Sequence, residues 1–304
     1  MISKKPSVSV IMPVYNAGDF LVEAIESILG QTYKNFELII INDASTDNSL
    51  KIISSYKKRF SEKIKVINLK KNLNRGGDVC ANLGFVKAKG EFIARMDADD
   101  IAVSTRLEKQ VNFLLKHLKY ALVGSNAFVI NKEGEITGEK IVPSLHKNIL
   151  KEFFVFNPLI HPTVMIRKSA LNGRKELYEI MYDANNDYLT FFKLITSGLK
   201  FANLKQKLIF YRVHGKNDSL NFVKSRFLNS LKIRAKAVIE FGYKPNFKSV
   251  IKLFGQAVIV LLLPEKAILS IYLVVRGIKK ISDFLPFPSN PLFARLKKAF
   301  IPSL

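Results

Sequence analysis

A single cysteine, Cys80, stands among 304 residues, so no disulfide can form within the chain. That suits a reducing compartment and argues against a stapled secreted scaffold. Acidic residues are scarce beside basic ones, 25 against 48, for a formal net charge of +23. The shortfall is uneven: residues 1–198 hold 28 Lys/Arg against 21 Asp/Glu, and residues 199–304 hold 20 against 4. The N-terminus, MISKKPSVSVIMPVYN, lacks the longer apolar region and small-residue cleavage site of a signal peptide, so cytoplasmic synthesis is the expectation. No nucleic-acid motif is found, and the basic residues of the last third alternate with Leu, Ile and Val rather than with stacking aromatics. Nucleic acid is therefore not an expected partner. The positive excess calls instead for an acidic ligand or an anionic membrane surface.

With 48% apolar residues, the chain has enough material for a sizeable core. Its first two-fifths alternate strand and helix patterns. SVSVIMPV (7–14), FELIII (36–41), IKVINL (64–69) and residues 91–96 read as apolar strands, and helices are predicted over 19–31, 48–59 and 76–88. Near-continuous apolar strands separated by helices imply a parallel sheet buried on both faces, an α/β fold. Such sheets bind ligands beyond the carboxyl ends of their strands. The polar clusters at 13–19, 42–49 and 97–100 each follow a strand, so they are expected to meet at one edge. Thr105 and Glu108 are spaced as a capping box for a helix over 105–118. DYLTFFKLITSGLK (187–200) reads as a buried helix, and FANLKQKLIFYRVH (201–214) as a strand.

RMDADD (95–100) places three carboxylates in four residues. Asp97, Asp99 and Asp100 offer the oxygen ligands that suit Mg²⁺ or Mn²⁺ beside a diphosphate, but Asp99 or Asp100 could equally cap the next helix. Asp43, at a strand end, can accept from an N–H on a base edge, while Ser45, Thr46 and Asp47 read as caps. In PVYN (13–16), the Tyr15 ring can lie against a base. Asp187 by local sequence is a helix cap, and His214 a structural residue. His161 lines an acceptor side or shapes a turn, and His117 and His146 carry no assignment.

VSVIMPVYNAGDFLVEAIESILGQTYKNFELIIINDASTDNS (8–49) and GEFIARMDADDIAVSTRLEKQ (90–110) resemble the family 2 glycosyltransferases, with weaker matches at 161–171, 185–198 and 211–219. The resemblance covers roughly residues 6–220. It implies a GT-A (Rossmann-like) fold and a nucleotide-sugar-dependent, inverting, metal-assisted enzyme using Mn²⁺ or Mg²⁺. It further implies that Asp43 binds the nucleobase, flanked by Pro13, Tyr15 and Asn16, and that Arg75 approaches the nucleotide. Asp97, with its neighbour Ala98, contacts the donor; Asp97 and Asp99 form the DXD motif, with Asp99 on the metal and His214 completing its site. Asp187 is the implied catalytic base. Two positions and one motif depart from the pattern: Asn186 stands where an acid usually precedes Asp187, Ala81 where Arg usually precedes Asn82, and no Gln-x-x-Arg-Trp motif is present, the chain having no tryptophan. The last favours transfer of a single sugar over polymer extrusion.

Beyond about 220 the character changes, so residues 1–220 are expected to form the catalytic domain and 221–304 a basic, apolar helical extension. LFGQAVIVLLL (253–263) has 11 residues, where a membrane span needs about 20. A span over 251–275 would bury Glu265 and Lys266 at roughly 2.5–3.5 kcal/mol for such a charge. An interfacial helix pair avoids that cost, and packing on the catalytic domain is the alternative. The expected enzyme works at the inner face of the cell membrane, moving a sugar from a UDP-sugar or similar donor to a glycan or polyprenyl-linked acceptor. The rival readings are a non-catalytic sugar-nucleotide binder and a basic nucleic-acid-binding protein.

Overall fold

The computed structural model describes residues 8–73, 77–214 and 222–275. The first apolar run forms β1 (Val8–Val14), buried throughout. It is followed by α1 (Leu21–Leu29), β2 (Phe36–Asn42), α2 (Ser49–Arg59), β3 (Ile64–Asn68), α3 (Asp78–Lys87) and β4 (Phe92–Arg95). These four strands lie in the order β3-β2-β1-β4, every pair parallel. Next come β5 (Ile101–Ala102), α4 (Arg106–Lys116), β6 (Tyr120–Ile130), β7 (Ile136–Lys140) and α5 (His146–Glu152). Then β8 (Met165–Arg167), α6 (Asn186–Thr196) and β9 (Lys200–Arg212) complete a nine-stranded sheet. The sheet is mixed: β8 runs antiparallel between β4 and β6, β9 runs parallel to β6, and β5 and β7 pair antiparallel at β9 and β6.

Both faces of the sheet are covered, because alternate residues of each strand point to opposite sides. Val10 and Met12 join one apolar cluster with Leu21 and Ile25 of α1, Ile53 of α2 and Leu107 of α4. Ile11 joins the other with Phe85 of α3, Ile149 of α5 and Phe191 of α6. Helix α3 lies close on the sheet at Gly84, where a Cβ would stand 2.7 Å from Ile11 Cγ2 and 2.8 Å from Ile41 Cδ1. The capping box at Thr105 does not form. Thr105 makes no side-chain cap, and Glu108 Oε2 accepts from Thr32 Oγ1 at 2.8 Å instead. The backbone bond from Thr32 N to Ser104 O holds that competing hydroxyl beside the helix start.

Three helices follow the sheet: α7 (Val223–Ile239), α8 (Phe247–Leu262) and α9 (Glu265–Val275). Helix α7 belongs to the body of the molecule. Its Ile233 and Ala237 enter the second apolar cluster, and buried Arg234 donates to Val155 O at 2.6 Å. Helix α8 touches that body through Leu253 but is covered far less. Only Ser249 is buried in it, and Leu261 and Leu262 are each 77% exposed. The chain breaks between α8 and α9 at Leu263–Pro264, so the two apolar runs make separate short helices. Among the described residues, no helix is long and apolar enough to cross a membrane.

Gly84→Ala is expected to lower stability by about 1–3 kcal/mol, the usual cost of overpacking a filled core. Urea titration followed by circular dichroism checks this, with the midpoint moving down and the slope unchanged.

Candidate active site

The parallel strands bring the three polar clusters to one edge, since β1 lies between β2 and β4 and all three run the same way. The turn after β1 is sewn to the loop after β2. Asn16 takes a left-handed backbone (φ 49°), its N–H donates to Ser45 Oγ at 3.1 Å, and its Oδ1 accepts from Thr46 N at 2.8 Å. Asp47 accepts from Gly18 N and from Ser49 N, both at 2.9 Å, so it bonds the first turn of α2 as well as the facing loop. Pro13 is buried, whereas Tyr15 is 53% exposed and presents its ring at the edge. The Asn16 side chain is committed to joining loops rather than to the open edge.

Asp43, one residue past β2, is buried and accepts from Leu73 N at 2.9 Å through Oδ1. That bond draws the end of the β3–α3 connection over the edge. Arg75 lies outside the described residues. Beyond it, Gly77 has φ 82°, a conformation that favours glycine, and a Cβ there would stand 3.4 Å from both Arg95 Nη2 and Pro13 Cβ.

The acids after β4 are divided among separate partners. Asp97 pairs with buried Arg95, Nη2 to Oδ1 at 2.7 Å. Ala98 is buried in the apolar cluster beneath. Asp99 Oδ2 lies 3.0 Å from His214 Nε2, a contact between segments 115 residues apart in sequence. Asp100 caps no helix. It is 1% exposed, and its Oδ1 accepts from Arg212 N at 2.8 Å. Its Oδ2 is buried with no hydrogen-bond partner. Burial, with Asp99 and Asp97 adding to it, pushes the Asp100 carboxyl well above the usual carboxylate range. One ligand oxygen from each of the three acids falls within 4.8 Å of the others. An orphaned buried oxygen among three carboxylates fits a divalent cation, which would offset both the desolvation and the mutual repulsion.

Asp187 lies in the first turn of α6, where it accepts from Asn157 Nδ2 at 3.0 Å. Asn157 is itself oriented, its Oδ1 accepting from Leu159 N at 3.2 Å. Asn186 is fully buried, and its Oδ1 accepts from Met181 N at 3.0 Å and Tyr182 N at 2.9 Å. It folds the preceding loop instead of supplying a second acid. Asn82, after Ala81, holds Tyr178 by two bonds of 2.8 Å. Tyr178 Oη is 2.7 Å from His161 Nε2, and burial pushes the His161 imidazole below its ordinary value, while Asp187 acts in the other direction.

Sequence reasoning missed Arg95, Asp78, Asn157 and Arg212. Arg95 opens the quoted hexapeptide, and a cation one step before three acids was a usable signal. Asp78 had none: it sits at the start of α3, buried, with Asp187, Arg95 and Asp97 all acting on it. Burial, and after it Asp187, pushes its carboxyl well above the ordinary 3.8.

At neutral pH the charged form of Asp78 therefore costs stability. The cost is constant above its raised folded value, declines as pH falls from there, and is gone below the unfolded value near 3.8. Asp78→Asn is expected to raise the Tm at pH 8, with a gain that shrinks on acidification. Differential scanning fluorimetry from pH 8 to pH 4 measures it; a gain independent of pH would refute the assignment.

A profile of Glycosyl transferase family 2 matches residues 9–174. EpsE of Bacillus subtilis is 39% identical over 219 residues, covering 70% of this chain and 75% of that protein. The UDP-Glc:alpha-D-GlcNAc-diphosphoundecaprenol beta-1,3-glucosyltransferase WfaP of Escherichia coli is 29% identical, over 75% of this chain and 88% of its own length. In fold, the chain resembles S. aureus TarS solved with UDP-GlcNAc, at a TM-score of 0.65 and 19% identity over 82% of this chain and 71% of that one. It also resembles the mannosyltransferase PcManGT of Pyrobaculum calidifontis solved with GDP-Man and Mn²⁺, at 0.60 and 16% identity over 97% and 80%.

Proposed function

The chain belongs to glycosyl transferase family 2, enzymes that move a sugar from a nucleotide-sugar donor to an acceptor, and from that premise we propose which residues do the work. The Asp99–His214 contact carries the proposal, because it brings a carboxylate and an imidazole, both metal-ligating groups, to one point from segments 115 residues apart. Asp43 accepts from the base edge of the nucleotide while the exposed Tyr15 ring lies against the base and Pro13 backs it. Asn16 acts by holding the two loops together. Asp97, held by Arg95, faces the ribose, with Ala98 beside it, and Arg75 approaches the nucleotide. Asp99 and His214, with Asp97 and Asp100, would hold Mn²⁺ or Mg²⁺, which when bound supplies positive charge against the leaving diphosphate.

Asp187 is the general base. Asn157 donates to one of its oxygens and leaves the other for an acceptor hydroxyl. As the acceptor oxygen attacks the anomeric carbon, its proton passes to Asp187, and the carbon–oxygen bond to the nucleoside diphosphate breaks on the opposite face. One displacement inverts the stereocentre. Neutral His161 and Tyr178 line the same neighbourhood, placing polar groups near the acceptor without adding charge. The fitting acceptor is a glycan or a polyprenyl-linked sugar of a surface polysaccharide pathway, as WfaP's name describes for that protein, and the fitting donor is a UDP-sugar.

Asp187→Asn is expected to lower kcat about 10²–10⁴-fold, the range of a removed general base. Asp99→Ala should abolish stimulation by Mn²⁺. Donor hydrolysis and transfer over a panel of nucleotide-sugars, with and without Mn²⁺, measures both. Full activity in both variants would overturn the assignment.

Residues 1–220 form the catalytic domain in this reading, with α7 docked on it and α8–α9 as a basic, apolar attachment to the inner face of the membrane. An apolar helix normally buries itself, yet α8 leaves Phe254, Leu261 and Leu262 exposed, as it does Lys248 in its first turn. Leu261→Glu with Leu262→Glu is expected to move the protein from anionic vesicles to the soluble fraction in flotation, leaving its Tm unchanged. Equal recovery of variant and parent on the vesicles refutes the attachment. Because α7 shares the core, these point changes test it better than truncation near 220.

A further inference from the structure

Arg212, the last residue of β9, is 1% exposed, and every edge of its guanidinium is engaged. Nε donates to Asp99 O at 2.9 Å, Nη1 to Lys132 O at 2.9 Å, and Nη2 pairs with Glu23 on α1. Its own N–H donates to Asp100 Oδ1, as described above. The guanidinium carbon also stands 4.8 Å from the centre of the Phe20 ring, and the other neighbour of that ring is His214, again at 4.8 Å between centroids. One side chain thus joins the acidic loop after β4, the β6–β7 turn, the start of α1 and the strand end that delivers His214.

We infer that Arg212 is a positioning residue for the cation site. It does not face the cation. It fixes the backbone of Asp99 and the carboxylate of Asp100 against the strand two residues before His214, and it clamps Phe20 behind the His214 ring. A planar fork is required, because three N–H groups point to acceptors on three different segments; a lysine ammonium on a flexible stem cannot reproduce that spread. Outer partners that orient metal ligands typically change metal affinity about 10–100-fold when lost. The inference rests on the reading of Asp99 and His214 as ligands.

The test uses the full chain, stripped of metal, with Mn²⁺ binding followed by electron paramagnetic resonance of the free ion and Tm recorded alongside. Arg212→Lys is expected to weaken Mn²⁺ binding at least tenfold, and saturating Mn²⁺ should restore most of kcat, so that the activation midpoint moves more than the maximal rate. Glu23→Gln alters an exposed partner, is expected to fold, and should weaken binding a few-fold; it decides the matter if Arg212→Lys does not fold. Binding within twofold of the parent in folded Arg212→Lys, or in Glu23→Gln when that is the deciding variant, overturns the inference. Asp99→Ala separates the two readings: if it too binds Mn²⁺ like the parent, the cation site itself is refuted and the role of Arg212 with it.

Discussion

Three carboxylates within four residues repel one another, and the end of a buried strand is a poor place to leave them. Much of the sheet edge is organised around that constraint. Arg95 takes Asp97, His214 takes Asp99, and the backbone of Arg212 takes one oxygen of Asp100. Arg95 and Arg212 end their strands and His214 follows two residues past β9, so the sheet sets where each partner sits. What is left over is the second oxygen of Asp100, buried and unpartnered. A site that satisfied every acid internally would have no reason to bind a cation.

The same tension extends inward. Asp187, at the start of α6, acts on Asp78 at the start of α3, with Arg95 as a compensating cation for Asp78. Holding charge in such surroundings costs stability, and the two apolar layers offset it. The helices that carry these two acids are well buried. Phe85 of α3 and Tyr188, Leu189, Phe191 and Phe192 of α6 all lie in the second cluster. Those buried aromatics anchor α6, and with it Asp187, on a regular element, where a loop would leave the carboxylate free to turn.

The C-terminal helices show the limits of reading by composition. Lysines threaded through apolar residues mark everything after 220 as one kind of segment, but the structure separates it. Arg234 of α7 is buried against Val155 and Tyr188, whereas α8 leaves Phe247, Ile251, Phe254, Leu261 and Leu262 exposed. Charge composition could not make this distinction, because both helices mix lysines with Leu, Ile and Val. It depends on whether a facing surface exists.

Local pattern was enough to locate most of the strands, the helices between them, the sheet edge and the strand-end acids Asp43, Asp97 and Asp99, because alternating strand and helix lengths and strand-end polar clusters are short-range signals; Asp187 reads locally as a helix cap, and only the family resemblance singles it out. Thr105 and Asp100 mark where that logic ended. Thr105 has the right spacing for a cap, and Asp100 the right place before a helix, but Thr32 claims Glu108 and Arg212 claims Asp100. The decisive partners lie 76 and 112 residues away. Residue order and strand spacing set which groups carry charge and which edge they reach. Which acid meets which partner, and which oxygen is left open, follows from folding, because those contacts form between chain segments that nothing but the packed sheet brings together.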